Sequence, residues 1–490
     1  MPQHFDAIVI GTGQGGAPLA VRLGKSGRET AVVERGAFGG TCVNVGCTPT
    51  KSYVASARAA HVARHAADLG VQISGTIAVD LAAVKARKDK IIGGSRDGVE
   101  KWLRGADNVT VFQGHARFTG PHSLAISTPD DTPLTELSAD EIFINTGMRA
   151  VVPPLPGLER IRFYTNSSLL ELTELPAHLV IVGASYIALE FAQIFRRFGS
   201  RVTVLVRGER ILSREDADFA ESVHTVLARE GVEFMFGVQP SRVEPHPHHE
   251  NDVCIGFEQN IPALEASHLL FATGREPNTD DLGLDAAGIQ TDRHGIIPVD
   301  GQLRTNVPGV WAIGDVNGRG AFTHTSYDDF QIVAANLLDG GVRSGVRSGM
   351  HSGARSDEDS GMHSGSRSAD TRIMAYAVFV DPPLARVGMS EAQVRESGRD
   401  ALIATMPMTR VGRARERGET DGFMKALVDA QTQQILGAAI HGIEGDEAIH
   451  TFIDMMTAGA PYPVLQYAMH IHPTISELVP TLLDGLKPLK

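Results

Sequence analysis

At 490 residues with 42% hydrophobic content, the chain has the length of about three ordinary domains and apolar side chains enough for a large core. A net charge of −13 excludes a general nucleic-acid or anionic-membrane binder, and three cysteines over this length exclude a disulfide scaffold and point to a reducing compartment. A strand-like run begins at Phe5 with no basic, apolar leader before it, and no apolar span approaches about 20 residues, so a cytoplasmic location is expected.

Phe5-Asp6-Ala7-Ile8-Val9-Ile10 reads as a buried parallel strand. Gly11-Thr12-Gly13-Gln14-Gly15-Gly16 follows, then a helical segment to Leu23 and a second strand, Thr30-Ala31-Val32-Val33-Glu34. This is the spacing of a dinucleotide-binding βαβ unit. Gly11 makes the turn, Gly13 lets a pyrophosphate approach, Gly16 packs helix on strand, and Glu34 is placed to accept from ribose hydroxyls.

The next stretch runs Phe38-Gly39-Gly40-Thr41-Cys42-Val43-Asn44-Val45-Gly46-Cys47-Thr48-Pro49-Thr50-Lys51. Pro49 suits a first helical turn, and Tyr53 to Ala67 continue with helix formers. A helix N-terminus favours a thiolate nearby, and Gly46 permits a tight turn that brings two thiols within bonding reach. A redox-active dithiol is expected; two structural cysteines or half of a zinc site are the other readings. Zinc would want two further ligands at short spacing, and no second cysteine pair exists.

His178-Leu179-Val180-Ile181-Val182 opens a second, looser signature: Gly183-Ala184-Ser185-Tyr186-Ile187-Ala188, a helix from Leu189 to Phe198, and the strand Arg201-Val202-Thr203-Val204-Leu205-Val206. No carboxylate closes that strand. Arg207 stands there, with Arg210 and Arg214 beyond, which favours a 2′-phosphate and hence NADPH over NADH. Two nucleotide sites and a dithiol together suggest a bound flavin, a hydride donor and a disulfide acceptor.

These features resemble the pyridine nucleotide–disulfide oxidoreductase family, which includes dihydrolipoamide dehydrogenase, glutathione reductase and mercuric reductase. The likeness covers nearly all of the chain. Its most specific motif is Cys42-x-x-x-x-Cys47 with Pro49 and Lys51. Ala272-Thr273-Gly274-Arg275-Glu276-Pro277-Asn278 is similar to the return from the NAD to the FAD domain, and Trp311-Ala312-Ile313-Gly314-Asp315 to the second FAD motif. His472-Pro473-Thr474-Ile475-Ser476-Glu477 resembles the His–Glu pair that a partner subunit contributes to the active site.

The resemblance implies an α/β fold with two Rossmann-like domains and a C-terminal α+β dimerisation domain. The FAD domain is expected at 1–152 and 275–341, the NAD(P)H domain at 153–274 and the interface domain at 372–490. It implies that Cys47 is the thiol against the flavin and Cys42 the thiol that meets substrate. Lys51 and Glu190 become a pair near the reactive flavin nitrogen, and Tyr186 a ring covering the nicotinamide pocket. His472 becomes a general acid/base oriented by Glu477, and Asp315 holds the ribityl chain. Thr41, Lys51, Thr146, Gly147, Gly183, Ser185, Arg207, Gly274 and Arg275 join Gly11, Gly13, Gly16 and Glu34 as cofactor-binding positions. FAD and NADPH are the expected cofactors, with no resident metal, and a homodimer is the expected assembly.

Phe143-Ile144-Asn145-Thr146-Gly147 and Asp381-Pro382-Pro383-Leu384-Ala385-Arg386-Val387-Gly388-Met389 are similar to a bacterial branch that includes a reactive-chlorine-resistance flavoprotein, a copper(II) reductase. Val206 departs from the carboxylate expected there in that branch. The chain also lacks the C-terminal cysteine pair of well-studied mercuric reductases. The acceptor is therefore expected to be a thiophilic metal ion, Cu(II)- or Hg(II)-like, or a small disulfide, in oxidant or metal stress defence. A dihydrolipoamide dehydrogenase or glutathione-reductase-type enzyme and a non-turnover redox sensor are the alternatives.

Residues 342–371 form a low-complexity insert with a tetrad rhythm over Val342 to Ala369, expected as a mobile surface loop. His351 and His363 within it, and the His246-Pro247-His248-His249 cluster at an expected hairpin tip, are at most adventitious metal ligands. Cys254 reads as a core thiol.

Overall fold

The computed structural model describes residues 2–128, 132–258, 261–339 and 366–490. The chain divides into two compact units. One comprises Met1–Thr48, Lys90–Arg149 and Arg275–Arg372, the other Pro49–Asp89, Ala150–Gly274 and Ile373–Lys490.

In the first unit, strand β1 (Gln3–Ile10) buries Ala7 to Ile10 on both faces, as a central parallel strand must. Helix α1 (Gly16–Lys25) crosses to strand β2 (Thr30–Glu34), which lies parallel to β1 with Ile10 opposite Val33. The sheet runs Val109–Gln113, β2, β1, Pro133–Ile144, then antiparallel Ser123–Ser127 and His115–Gly120. Val310–Ala312 adds to the far end of Pro133–Ile144. The register matters for function: Ile10 pairs Ile144, and Ile144 pairs Ala312. Three strands thus end at one level, and the loops beginning at Gly11, Asn145 and Ile313 share the carboxyl edge where such sheets bind ligands. Helix α2 (Gly40–Asn44) and the start of α3 (Cys47–Arg64) follow β2. Pro49 sits in the first turn of α3 as expected, but the helix stops at Arg64 and Ala66–Leu69 is a 3₁₀ turn.

The second unit holds a parallel sheet ordered Glu233–Phe236, Arg201–Val206, His178–Val182, His268–Phe271, with helix Tyr186–Phe198 packed on it. That helix begins three residues before the expected Leu189, because Tyr186 already lies in its first turn. A three-stranded antiparallel sheet, Pro240–Pro245, Val253–Phe257 and Leu264–Ala266, and a six-stranded sheet built from residues 375–488 complete it. The residues expected to bind NAD(P)H and those expected at a subunit interface fall within this one unit.

Residues 340–365, which carry most of the tetrad tract with His351 and His363, lie outside the described residues. From Ser366 onward the chain is anchored. Arg367 pairs with Asp328 at 2.7 Å, Ala369–Thr371 forms a 3₁₀ turn, and Arg372 bridges Asp328 (2.6 Å) and the buried Asp329. Among the described residues, no helix is long and apolar enough to cross a membrane.

His441 ends strand Ile435–His441 fully buried, its Nδ1 2.8 Å from Ser222 Oγ. Burial pulls its pKa from 6.5 down to about 4. An unfolded chain takes up a proton near pH 6.5 that the folded chain refuses, so stability falls as pH drops through that window. The loss amounts to roughly 3 kcal/mol for this residue. Thermal unfolding of His441→Gln between pH 4 and 6.5 should show a shallower pH dependence than the parent; parallel profiles would contradict the assignment.

Candidate active site

The loop after β1 is shaped by close backbone contacts. Gly11 has φ +99°, and a Cβ there would stand 2.5 Å from the Asn145 carbonyl oxygen. A Cβ on Gly13 would reach 2.9 Å from Asn145 Oδ1, and one on Gly16 2.2 Å from the Gly11 oxygen. The loop is therefore bare backbone over the N-terminus of α1, the geometry that accepts a pyrophosphate. Asn145 pins it: its Oδ1 accepts the Gly16 N–H at 2.9 Å, and its Nδ2 donates to the Ile313 carbonyl at 2.8 Å.

Glu34 closes β2, nearly buried. Its Oε2 accepts from the Thr12 N–H (2.9 Å) and hydroxyl (2.6 Å), and its Oε1 from the Gly36 N–H at 2.8 Å. A carboxylate has about four lone-pair sites, so one remains for a ribose hydroxyl. Thr146 Oγ1 is buried on the same edge without a hydrogen-bond partner among the described residues. Gly147, at φ +66°, accepts from the Asn278 N–H at 3.0 Å. Asp315 begins a 3₁₀ turn and pairs with Arg275 at 2.6 Å, while Arg275 also donates to the Met148 carbonyl at 3.0 Å. The orphaned threonine, the glycine cradle and the acid at the strand end fit a dinucleotide such as FAD.

The two expected redox thiols meet beside this cradle in sequence. Thr41 and Cys42 lie in α2, Thr41 exposed, and Cys47 is the first residue of the 18-residue α3. Gly46 makes the join, since a Cβ there would meet the Thr41 carbonyl oxygen at 2.8 Å. Both cysteines are free thiols. Hydrogen bonding to Cys47 and burial hold the Cys42 thiol far above its ordinary pKa, so the proton shared by the pair resides on Cys42. The positive end of α3 favours negative charge at Cys47. Thr323, which nothing in its sequence context singled out, places Oγ1 3.2 Å from Cys47 Sγ.

In the second unit, Lys51 Nζ and Glu190 Oε2 form an ion pair at 2.6 Å, with Glu190 almost fully buried. Phe379 completes it unforeseen: its N–H donates to Glu190 Oε1 at 2.9 Å, and its ring lies 4.5 Å from the Lys51 ammonium. Gly183 repeats the role of Gly11, with φ +117° and a Cβ position 2.3 Å from the Ala272 carbonyl oxygen. Ser185 occupies the N-cap position of the 13-residue helix that Tyr186 begins, without a side-chain capping bond, and Gly274 accepts from the Val151 N–H at 3.0 Å. Arg207 is exposed directly after strand Arg201–Val206, with Arg210 and Arg214 exposed beyond it and Glu209 the one acid among them.

His472 Nδ1 lies 2.7 Å from Glu477 Oε2; the imidazole is 79% exposed and the carboxylate 10%. The contact fixes the proton on Nδ1 and leaves Nε2 facing solvent. Tyr467, Met469 and Ile471, just before it, are 82%, 98% and 78% exposed, an apolar run that water covers poorly.

One expectation outside the site changes, and the histidine cluster lies at a hairpin tip as expected. Cys254 is half-buried rather than a core thiol, because it faces Glu244 and Glu265 across the three-stranded sheet. Burial and those acids push its pKa up. His246, Cys254 and Glu265 offer ligand atoms within 4.8 Å of one another. However, His246 Nδ1 accepts the N–H groups of His248 (3.1 Å) and His249 (3.0 Å), which leaves the ring proton on Nε2, 3.4 Å from Glu265. That is a hairpin cap; a metal on Nε2 would need the proton on Nδ1, against two donors.

Comparison with known proteins agrees with this geometry. The pyridine nucleotide-disulphide oxidoreductase profile matches residues 5–329, and the profile of that family's dimerisation domain matches 374–483. The chain belongs to the pyridine nucleotide-disulphide oxidoreductase family, and its cofactors are FAD and NAD(P)H. It is 37% identical over 486 residues to the probable pyridine nucleotide-disulfide oxidoreductase RclA of Escherichia coli (strain K12), with 99% of each chain covered. It is 30% identical to dihydrolipoyl dehydrogenase of Chlamydia muridarum (98% of this chain, 96% of the relative). It is 29% identical to mercuric reductase of Lysinibacillus sphaericus (99% of this chain, 82% of the relative). Among solved structures, the HOCl-induced flavoprotein disulfide reductase RclA from Escherichia coli superposes with a TM-score of 0.84 at 36% identity, covering 98% of this chain and 99% of that one. Its Cu(II) complex superposes with 0.85, also at 36% identity and covering 99% of both.

Because Asn145 satisfies a buried N–H and a buried carbonyl at once, Asn145→Ala should cost about 2–4 kcal/mol and lower the flavin-to-protein ratio of the purified protein. Urea unfolding and the flavin absorbance measure both; parental stability with full flavin would contradict the role given to Asn145.

Proposed function

We propose that this chain is an NADPH-preferring flavoprotein whose Cys42–Cys47 pair passes electrons to a thiophilic metal ion of the Cu(II) or Hg(II) kind, or to a small disulfide, in oxidant or metal stress. The observation that carries the reading is the asymmetric dithiol, with a proton held on Cys42 and Cys47 at the start of α3. The cradle from Gly11 to Gly16, Glu34, Thr146, Gly147 and Asp315 would hold FAD; Lys51 and Glu190, paired in the second unit, match the charged pair that the family resemblance assigns to the reactive flavin nitrogen. FAD, when bound, supplies the two-electron link between nicotinamide and sulfur.

The chain's own groups then do the following. With a disulfide acceptor, Cys42 passes its proton to Nε2 of His472 and attacks one sulfur, forming a mixed disulfide and releasing a thiolate. His472 protonates that thiolate from Nε2 while Glu477 holds the imidazole in the required tautomer. Cys47 attacks Cys42, restoring the internal disulfide and releasing a second thiolate, which takes a proton from solvent. With Cu(II), both sulfurs bind metal directly; two Cu(II) become two Cu(I) as the Cys42–Cys47 bond forms and the remaining thiol proton leaves. His472 has no leaving thiol to protonate on that route.

In a homodimer, His472 and Glu477 would complete the other subunit's site, and Tyr467, Met469 and Ile471 would be covered. The RclA relative and its Cu(II) complex support the metal branch, as does the mercuric reductase likeness. Arg207 favours NADPH over the NAD⁺ used in lipoamide oxidation.

Steady-state oxidation of NADPH and NADH with Cu(II), Hg(II), glutathione disulfide, lipoamide and oxygen tests the reading. Cys42→Ser should abolish both metal and disulfide reduction. His472→Ala should lower disulfide reduction about 10²–10⁴-fold while Cu(II) reduction stays within about threefold. Arg207→Ala should raise the KM for NADPH about tenfold and leave that for NADH unchanged. Metal reduction that survives Cys42→Ser, or equal losses on both routes in His472→Ala, would overturn the corresponding role.

A further inference from the structure

Thr323 occupies the first turn of the 15-residue helix Thr323–Leu337, its Oγ1 3.2 Å from Cys47 Sγ. The same hydroxyl reaches Cys42, whose pKa it draws down while Cys47 and burial push it up. One side-chain oxygen therefore serves both sulfurs. It is not needed to cap its own helix: Thr325 does that, accepting the Phe322 N–H at 3.2 Å and donating to the Phe322 carbonyl at 2.8 Å. Thr323 and Cys47 thus bring the first turns of two helices together, and the positive ends of both helix dipoles favour a negative sulfur there. Cys42 on α2 is the titratable group that interacts with Cys47, and Lys51 stands one turn along α3.

We propose that Thr323 is a positioning residue of the redox pair: its hydroxyl donates to the Cys47 thiolate and so decides which sulfur of the reduced pair keeps the proton. The step balances without another reactant. NAD(P)H supplies two electrons and one proton as hydride, the Cys42–Cys47 bond breaks, and the products are one thiolate on Cys47 and one thiol on Cys42. A hydroxyl donating to Cys47 stabilises the first product, while Cys47 and burial, which outweigh the downward pull of Thr323 on Cys42, leave the second its proton. This rests on the reading of Cys42 and Cys47 as the redox pair.

The test uses the flavin-loaded protein, reduced anaerobically with NADPH, and follows iodoacetamide labelling of each cysteine against pH by peptide mass spectrometry. Thr323→Val, isosteric but without the hydroxyl, should raise the apparent pKa of Cys47 by about one unit, so that its labelling below that pKa slows about tenfold. Thr323→Ser keeps the hydroxyl and should stay within about threefold of the parent. A Val profile that overlays the parent's overturns the proposal, and so does a tenfold loss in the Ser variant, which decides the matter even if the Val protein does not fold. If the parent itself shows no NADPH-dependent gain of labelling at either cysteine, the redox-pair reading fails and not merely the role of Thr323.

Discussion

The site turns on a single shared proton. Two thiols joined through a glycine that no side chain could replace are hydrogen-bonded to one another, and that bond, together with burial, keeps the proton on the inner of the two, Cys42. The outer sulfur starts an 18-residue helix, whose positive end favours negative charge. A pair built in this way has distinct jobs for its members before any substrate arrives. In the function proposed above, the outer sulfur would face an electron donor as a thiolate, and the inner one would give up its proton before it reacts.

In the proposed function, the scaffold would hold that pair beside the nucleotide cradle. Strand register brings Ile10, Ile144 and Ala312 to one edge, so three loops meet where β1 ends, and Asn145 ties them through two buried hydrogen bonds. The same solution appears in the second unit, where Gly183 makes the turn against Ala272. Closeness of backbone to backbone, rather than side-chain chemistry, is what both turns demand. A buried ion pair, Lys51 with Glu190, would be costly alone, and the Phe379 N–H and ring take up part of that cost.

What could be read from the sequence follows from how local each signal is. The glycine loops, the strand ends at Glu34 and Val206 and the dithiol with its helix are all set by residues within a turn or two of each other. Their geometry is therefore written in spacing. Asn145, Thr323 and Phe379 act across 168, 276 and 189 residues of chain to Ile313, Cys47 and Glu190. An asparagine, a threonine and a phenylalanine are also common for unrelated reasons, so neither type nor position marked them out. Cys254 was misread for a related cause: a strand-like run says that a residue is on a sheet, not which face it takes. The outward face here carries Glu244 and Glu265 opposite it.

Anaerobic titration with NADPH reaches the relay most directly. The parent should go on consuming NADPH after the flavin has been fully reduced, gaining alkylatable thiols at Cys42 and Cys47, whereas Cys47→Ser should stop when the flavin is reduced. Identical end points for the two proteins would mean that the sulfurs lie off the electron path.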